Sequence, residues 1–163
     1  MYHRFNENKY PSTNIRMEVF LDHIQLIKDL NYKFIHPKDF KEKFDIPKKE
    51  KKILLTIDDG FKSFYEVAWP FLKKNEIPFL LFVSTEPVGG NGYMTWEQIK
   101  EIDDADFAQI GHHSHSHEYL IEKNDQEFVN DIEKANLIFQ NKLGYIPTLF
   151  SYPFGEYSEF MRN

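Results

Sequence analysis

Short, nearly uninterrupted apolar runs that stop at polar residues most narrowly limit what this 163-residue chain can fold into. Residues 53–57 (ILLTI) stop at Asp58-Asp59-Gly60, residues 79–84 form a second run, and residues 107–110 stop at Gly111, just before a group of histidines. A strand with no alternating polar positions is covered on both faces, as in a parallel sheet flanked by helices. Helical spacing falls between and around these runs. Val19, Phe20, Ile24, Ile27 and Leu30 predict a helix over 15–30, with Ser12, Thr13 and Asn14 as cap candidates. Further helices are predicted over 62–75, with Pro70 as a kink or boundary, over 95–102, and over 125–143. A short strand at 33–35, a helix at 37–44, a lysine-rich solvated turn at 47–52, a Gly-rich loop at 89–92 and a last short strand at 148–151 complete the reading. Strands alternating with helices predict right-handed βα units, an α/β fold and a single domain over residues 1–163, without repeat or linker.

Composition excludes several function classes. Lys and Arg total 20 against 26 Asp and Glu, a net charge of −6, which argues against a nucleic-acid partner because such binders need a basic footprint. Without cysteine there is no disulfide, thiolate metal site or cysteine nucleophile. No run approaches the roughly 20 apolar residues of a transmembrane segment, and the opening MYHRFNENKYPS has no signal-type apolar region. The chain either stays inside the cell or begins downstream of an export signal, so compartment stays open. Four of the seven histidines fall between His112 and His117, which is the odd fact in the composition.

Three polar clusters follow predicted strands, at the edge where parallel α/β folds build their sites. Asp58-Asp59 places two carboxylates side by side; they repel unless a cation compensates, whereupon one can ligate and the other accept a proton. Of the histidines, His113 and His117 share a face if the backbone makes a helical turn, whereas His113, His115 and His117 share one if it is extended. A carboxylate with two imidazoles gives three ligands and an open position, the pattern of a catalytic rather than a closed structural metal site. The third cluster, Ser151-Tyr152-Pro153-Phe154-Gly155, bends the chain where a backbone amide could face an oxyanion. Tyr2-His3-Arg4, His23 and His36 receive no functional role on this reading.

Taken in order, the clusters resemble the polysaccharide deacetylase family (NodB-homology, carbohydrate esterase 4). Thr56-Ile57-Asp58-Asp59-Gly60 is similar to its first motif, residues 110–117 (IGHHSHSH) to its second, and residues 150–155 (FSYPFG) to its third. Residues 94–99 (MTWEQI) also resemble a helix start common in these proteins. The resemblance implies a deformed (β/α) barrel, of which this chain, with about five strand-like segments, supplies the front portion; eight-unit barrels run to ~250 residues. It implies Asp58 as general base and Asp59, His113 and His117 as ligands of a divalent metal, with Zn2+ the first expectation. His115 is then not a first-choice ligand. Tyr152, Pro153 and Phe154 would line the substrate site, the Phe154 amide helping to hold the oxyanion. The implied partner is an acetylated glycan or amino sugar that loses N-acetyl, less often O-acetyl, groups. The family's third-motif Arg, which pairs with the base, falls at Ser151. The motif carrying the histidine that protonates the leaving amine lies downstream of the third, and no residue here takes that role by resemblance. The alternatives are a non-catalytic module of the same fold that binds metal or sugar, and a metallohydrolase acting on another amide.

Overall fold

The structure is a computed structural model and describes residues 1–40 and 50–162. Its frame is a parallel sheet of β5 (Thr56–Ile57), β6 (Phe79–Val83) and β7 (Ala108–His112) in that spatial order. The sheet is extended at both edges by single parallel bridges, Tyr2 to Ile57 and Phe150 to His112. At the first edge the Tyr2 amide donates to the Thr56 carbonyl (2.9 Å) and the Asp58 amide to the Tyr2 carbonyl (2.8 Å). At the other, the His112 amide donates to Leu149 (2.8 Å) and the Ser151 amide to His112 (3.0 Å). Five extended segments thus run the same way, and the residues that follow them (His3, Asp58, Ser84, His113 and Ser151) come out on one edge. Two smaller parallel pairs flank this frame, β1 (Arg4–Phe5) with β2 (Asn14–Ile15) and β3 (Lys33–Phe34) with β4 (Lys52–Ile53).

All five residues of β6 are buried, as its unbroken apolar run predicts for a strand covered on both faces. Helices α1 (Met17–Asp29), α2 (Trp69–Lys74), α3 (Trp96–Asp103) and α4 (Asp125–Leu143) put Phe20 and Ile24, Trp69 and Leu72, Ile99 and Ile102, and Ala135 and Phe139 into the same core cluster as the strands. Local chemistry sets several boundaries. Thr95 with Gln98, and Asn124 with Glu127, close reciprocal capping boxes at the starts of α3 and α4, and Gly144 ends α4 in the left-handed conformation (φ 84°). A final short helix, α5, covers Glu159–Arg162.

Several sequence expectations are corrected. The run 53–57 is not one strand: Ile53 pairs with Phe34 and Ile57 with Leu81, so the chain changes neighbours across Leu54-Leu55. The helix expected over 62–75 contains a π turn, Phe64–Ala68, before α2. That register shift leaves Pro70 in the first turn of α2, where its missing N–H costs nothing. The cap of α1 comes not from Ser12, Thr13 or Asn14 but from Asn6, whose side-chain oxygen accepts from the Met17 amide at 2.7 Å. The strand at 148–151 contributes a single bridge. Over 37–44 the described part is a 3₁₀ turn, Pro37–Asp39, closed by Phe40; residues 41–44, and residues 47–49 of the predicted turn, lie outside the described residues.

Gly111 does not end the third strand but lies inside β7. A Cβ there would sit 2.5 Å from the Phe82 ring, so glycine lets β6 and β7 close over that aromatic. Gly111→Ala is expected to cost about 1–3 kcal/mol as an overpacking change, measurable as a lower urea midpoint with an unchanged denaturant slope. A midpoint equal to wild type would contradict this packing.

Candidate metal centre

The turn after β5 brings the first two carboxylates to the sheet edge. Asp59 (φ 74°) and Gly60 (φ 78°) both take left-handed backbone, a conformation costly for a non-glycine residue and typical of functional turns. Asp58 and Asp59 are both buried, 4% and 8% exposed. β7 ends at His112 and His113 follows it directly, and their side chains point to opposite sides, as neighbours on an extended backbone do. The His112 ring lies against Phe139 and Phe150, and burial lowers its pKa to about 4. Its Nδ1 accepts from the Ser114 amide at 3.0 Å. His113 faces the carboxylates. Beyond it the chain turns through left-handed Ser114 (φ 68°) and His117 (φ 55°), which brings the His117 ring back over Asp59.

Asp59 Oδ1 lies 3.2 Å from His113 Nε2 and 2.9 Å from His117 Nε2, and one ligand atom from each of the three residues falls within 4.8 Å of the others. His115 turns away: its Nδ1 is 2.7 Å from Thr85 Oγ1 and its Nε2 3.6 Å from Glu86. The open choice between a helical and an extended histidine face therefore resolves to His113 with His117, without His115.

The tautomer of His113 bears on what this cluster holds. Its Nδ1 is 2.7 Å from the Ser151 carbonyl, which can only accept, so Nδ1 carries the proton and the neutral ring aims the Nε2 lone pair at Asp59 Oδ1. Acceptor then faces acceptor in a buried place, and Asp59 Oδ1 and Asp58 Oδ1 are both without a hydrogen-bond partner. A proton on the imidazole relieves this, and so does a cation among the three atoms. The titration tendencies reflect the first remedy. Burial presses the His113 pKa down, but the hydrogen bond to Asp59 and the charge of Asp58 outweigh it and the net shift is upward. Burial likewise presses Asp59 upward, yet its hydrogen bonds to His113 and His117 hold it well below the ordinary carboxylate range. Two imidazole nitrogens, a carboxylate oxygen and no sulfur suit zinc or a neighbouring divalent first-row ion, so the donor set fits a metal.

Asp58 sits beside this cluster. Burial raises its pKa, the charges of His113 and His3 oppose the rise, and Asp59 adds to it. His3 is the residue that sequence reasoning set aside and the fold brings in. Its place follows from the Tyr2 bridge to Ile57, a pairing across 55 residues that no local pattern announces. The N-terminal segment is held there by Arg4, stacked 3.4 Å from the Phe61 ring centre and 2.9 Å from Glu7, whose other oxygen accepts from Ser63 at 2.6 Å.

The third cluster closes the opposite side. Pro153 is buried, the Tyr152 hydroxyl donates to the Met161 carbonyl (3.0 Å), and Phe154 takes left-handed backbone (φ 61°) and is 52% exposed. The Phe154 ring is 5.0 Å from that of His117 and stacks on Tyr119 at 4.0 Å and 4°. Tyr119 is a second residue not singled out from the sequence. No helix among the described residues is long and apolar enough to cross a membrane.

Comparisons with known proteins bear on the family and the fold. A family model described as polysaccharide deacetylase matches residues 45–163. YxkH of Bacillus subtilis (strain 168), grouped by name with the polysaccharide deacetylases, is 29% identical over 161 residues, covering 98% of this chain and 57% of that protein. A poly-beta-1,6-N-acetyl-D-glucosamine N-deacetylase of Staphylococcus epidermidis is 26% identical over 83% of this chain and 52% of its own length. The chain thus spans little more than half of these relatives. Among solved structures, IcaB from Ammonifex degensii superposes with a TM-score of 0.89 at 27% identity, over 99% of this chain and 75% of that one. The Streptococcus pyogenes deacetylase PplD, in complex with acetate, shares the fold with a TM-score of 0.85 at 23% identity. The parallel arc described above is therefore part of a NodB-type barrel, and the chain belongs to the polysaccharide deacetylase family.

Proposed function

We propose that this chain carries the site of a metal-dependent hydrolase that removes N-acetyl groups from a glycan, cleaving a non-peptide carbon–nitrogen bond. The observation that carries the reading is the convergence of Asp59, His113 and His117 ligand atoms within 4.8 Å beside the buried, unpartnered Oδ1 of Asp58. A divalent ion, with zinc the first expectation, would be held by those three residues and would supply a Lewis acid that polarises the acetyl carbonyl and acidifies water. Asp58 is the base: its Oδ1 accepts the proton of the attacking water. The proton accepted by Asp58 passes to the departing amine, so acetic acid and a free amine are the products. The backbone amide of Phe154 helps hold the oxyanion, and Tyr152 and Pro153 fix the turn that presents it. The exposed Tyr119–Phe154 stack beside His117 offers a sugar ring a flat apolar wall.

The staphylococcal relative makes β-1,6-linked N-acetylglucosamine oligomers the substrate to try first. Acetate release from these by the zinc-loaded protein is the expected result. One equivalent of tightly bound zinc with no release from any acetylated glycan would instead favour a binding module of the same fold.

The raised His113 pKa has a consequence for stability. In the metal-free protein the imidazolium stabilises the fold fully below the ordinary histidine value of about 6.5. This contribution is lost as pH rises through the higher folded-state value. Zinc needs the neutral ring, so its contribution grows in the same direction. The gain in Tm on adding zinc should therefore widen between about pH 6 and pH 8; a gain that shrinks with rising pH would contradict this ligand set.

A further inference from the structure

Every backbone N–H from His113 to His117 has an acceptor. The His113 amide donates to the Val83 carbonyl (3.0 Å), Ser114 to His112 Nδ1 (3.0 Å), and His117 to the Ser114 hydroxyl (3.1 Å). The two amides in the middle, His115 and Ser116, donate to the two oxygens of one carboxylate, Asp131 Oδ1 at 2.7 Å and Oδ2 at 3.0 Å. Asp131 is carried by α4, a 19-residue helix capped at both ends, so the contact ties the turn between the two candidate ligands to a rigid element. The turn needs such a tie. Ser114 and His117 both hold left-handed backbone, a conformation that persists only where the surroundings enforce it. Ionised carboxylates are the strongest acceptors available for that purpose.

We infer that Asp131 is a positioning residue for the metal centre: by clamping the His115 and Ser116 amides it fixes the separation and aim of the His113 and His117 rings. The inference rests on the metal reading above and goes beyond it, because Asp131 touches no candidate ligand side chain and lies outside the three sequence clusters. It also explains why His115, with its ring on Thr85, stands in the histidine turn without joining the ligands: its backbone is the handle.

The test compares Asp131→Ala, Asp131→Asn and Asp131→Glu with wild type. Zinc affinity is measured by chelator competition, the visible absorption spectrum after cobalt substitution is recorded, and melting is followed without metal. Asp131→Ala should weaken zinc about 10- to 100-fold, the range for groups that orient ligands without touching the metal. It should also alter the cobalt spectrum and lower kcat with little change in KM. Asp131→Asn keeps one acceptor but turns an NH2 toward the other amide, so it should fall close to alanine; it remains readable if the alanine variant does not fold. Asp131→Glu keeps both acceptors and should recover part of the affinity. Zinc affinity within twofold of wild type and an unchanged cobalt spectrum in the alanine or asparagine variant would overturn the inference, even if metal-free melting fell. Absence of zinc binding in the wild type would overturn the metal reading instead.

Discussion

Asp58→Asn is expected to lower kcat for acetate release by about 10²- to 10⁴-fold, the usual worth of a positioned general base, while leaving zinc affinity within a few-fold of wild type. Asparagine keeps the shape and removes the proton acceptor. Because Asp58 is not among the atoms gathered on Asp59, His113 and His117, the ligand set stays whole. Stability should move the other way from activity. Burial raises the Asp58 pKa against the opposing charges of His113 and His3, so its ionised form at neutral pH costs the fold free energy. That cost begins above the unfolded value of about 3.9 and is complete above the folded one. The asparagine variant should therefore melt at or above the wild-type temperature near pH 7 and lose any advantage near pH 4. A variant with wild-type kcat would remove Asp58 from the role of base.

The second large effect is expected at His113. His113→Ala deletes one ligand atom and also vacates the Ser151 carbonyl that fixes its tautomer. Zinc affinity should fall by more than the roughly 10- to 100-fold typical of groups that only orient ligands, and acetate release should fall to background at micromolar zinc. His115→Ala, two residues away, is the matched control. Its ring contacts Thr85 and Glu86 rather than Asp59, so it should bind zinc nearly as well as wild type. Loss of zinc in His115→Ala with retention in His113→Ala would reverse the assignment.

What could be read from the sequence was what is written locally. The bounds of α4 follow from Asn124, Glu127 and Gly144, residues that cap a helix wherever they stand. The carboxylates and histidines were legible because each cluster directly follows an apolar run, and a parallel sheet delivers its strand ends to one edge. Features decided by distant partners were not legible. The division of residues 53–57 depends on which strands lie alongside, Phe34 for Ile53 and Leu81 for Ile57. Gly111 reads as a strand breaker until the Phe82 ring occupies the space its Cβ would need. His3 looks like part of a terminus until Tyr2 bridges Ile57. Asp131 is one acidic residue on an amphipathic helix until the histidine turn comes to rest on it.

Zinc titrated into chelator-stripped protein, with bound metal and acetate release from N-acetylglucosamine oligomers followed together, bears on all three proposed ligands, Asp59, His113 and His117. Release should rise in proportion to bound zinc, level off at one equivalent, and stay flat in His113→Ala. Full acetate release from the stripped protein, before any zinc is added, would mean that these residues hold no metal the reaction needs.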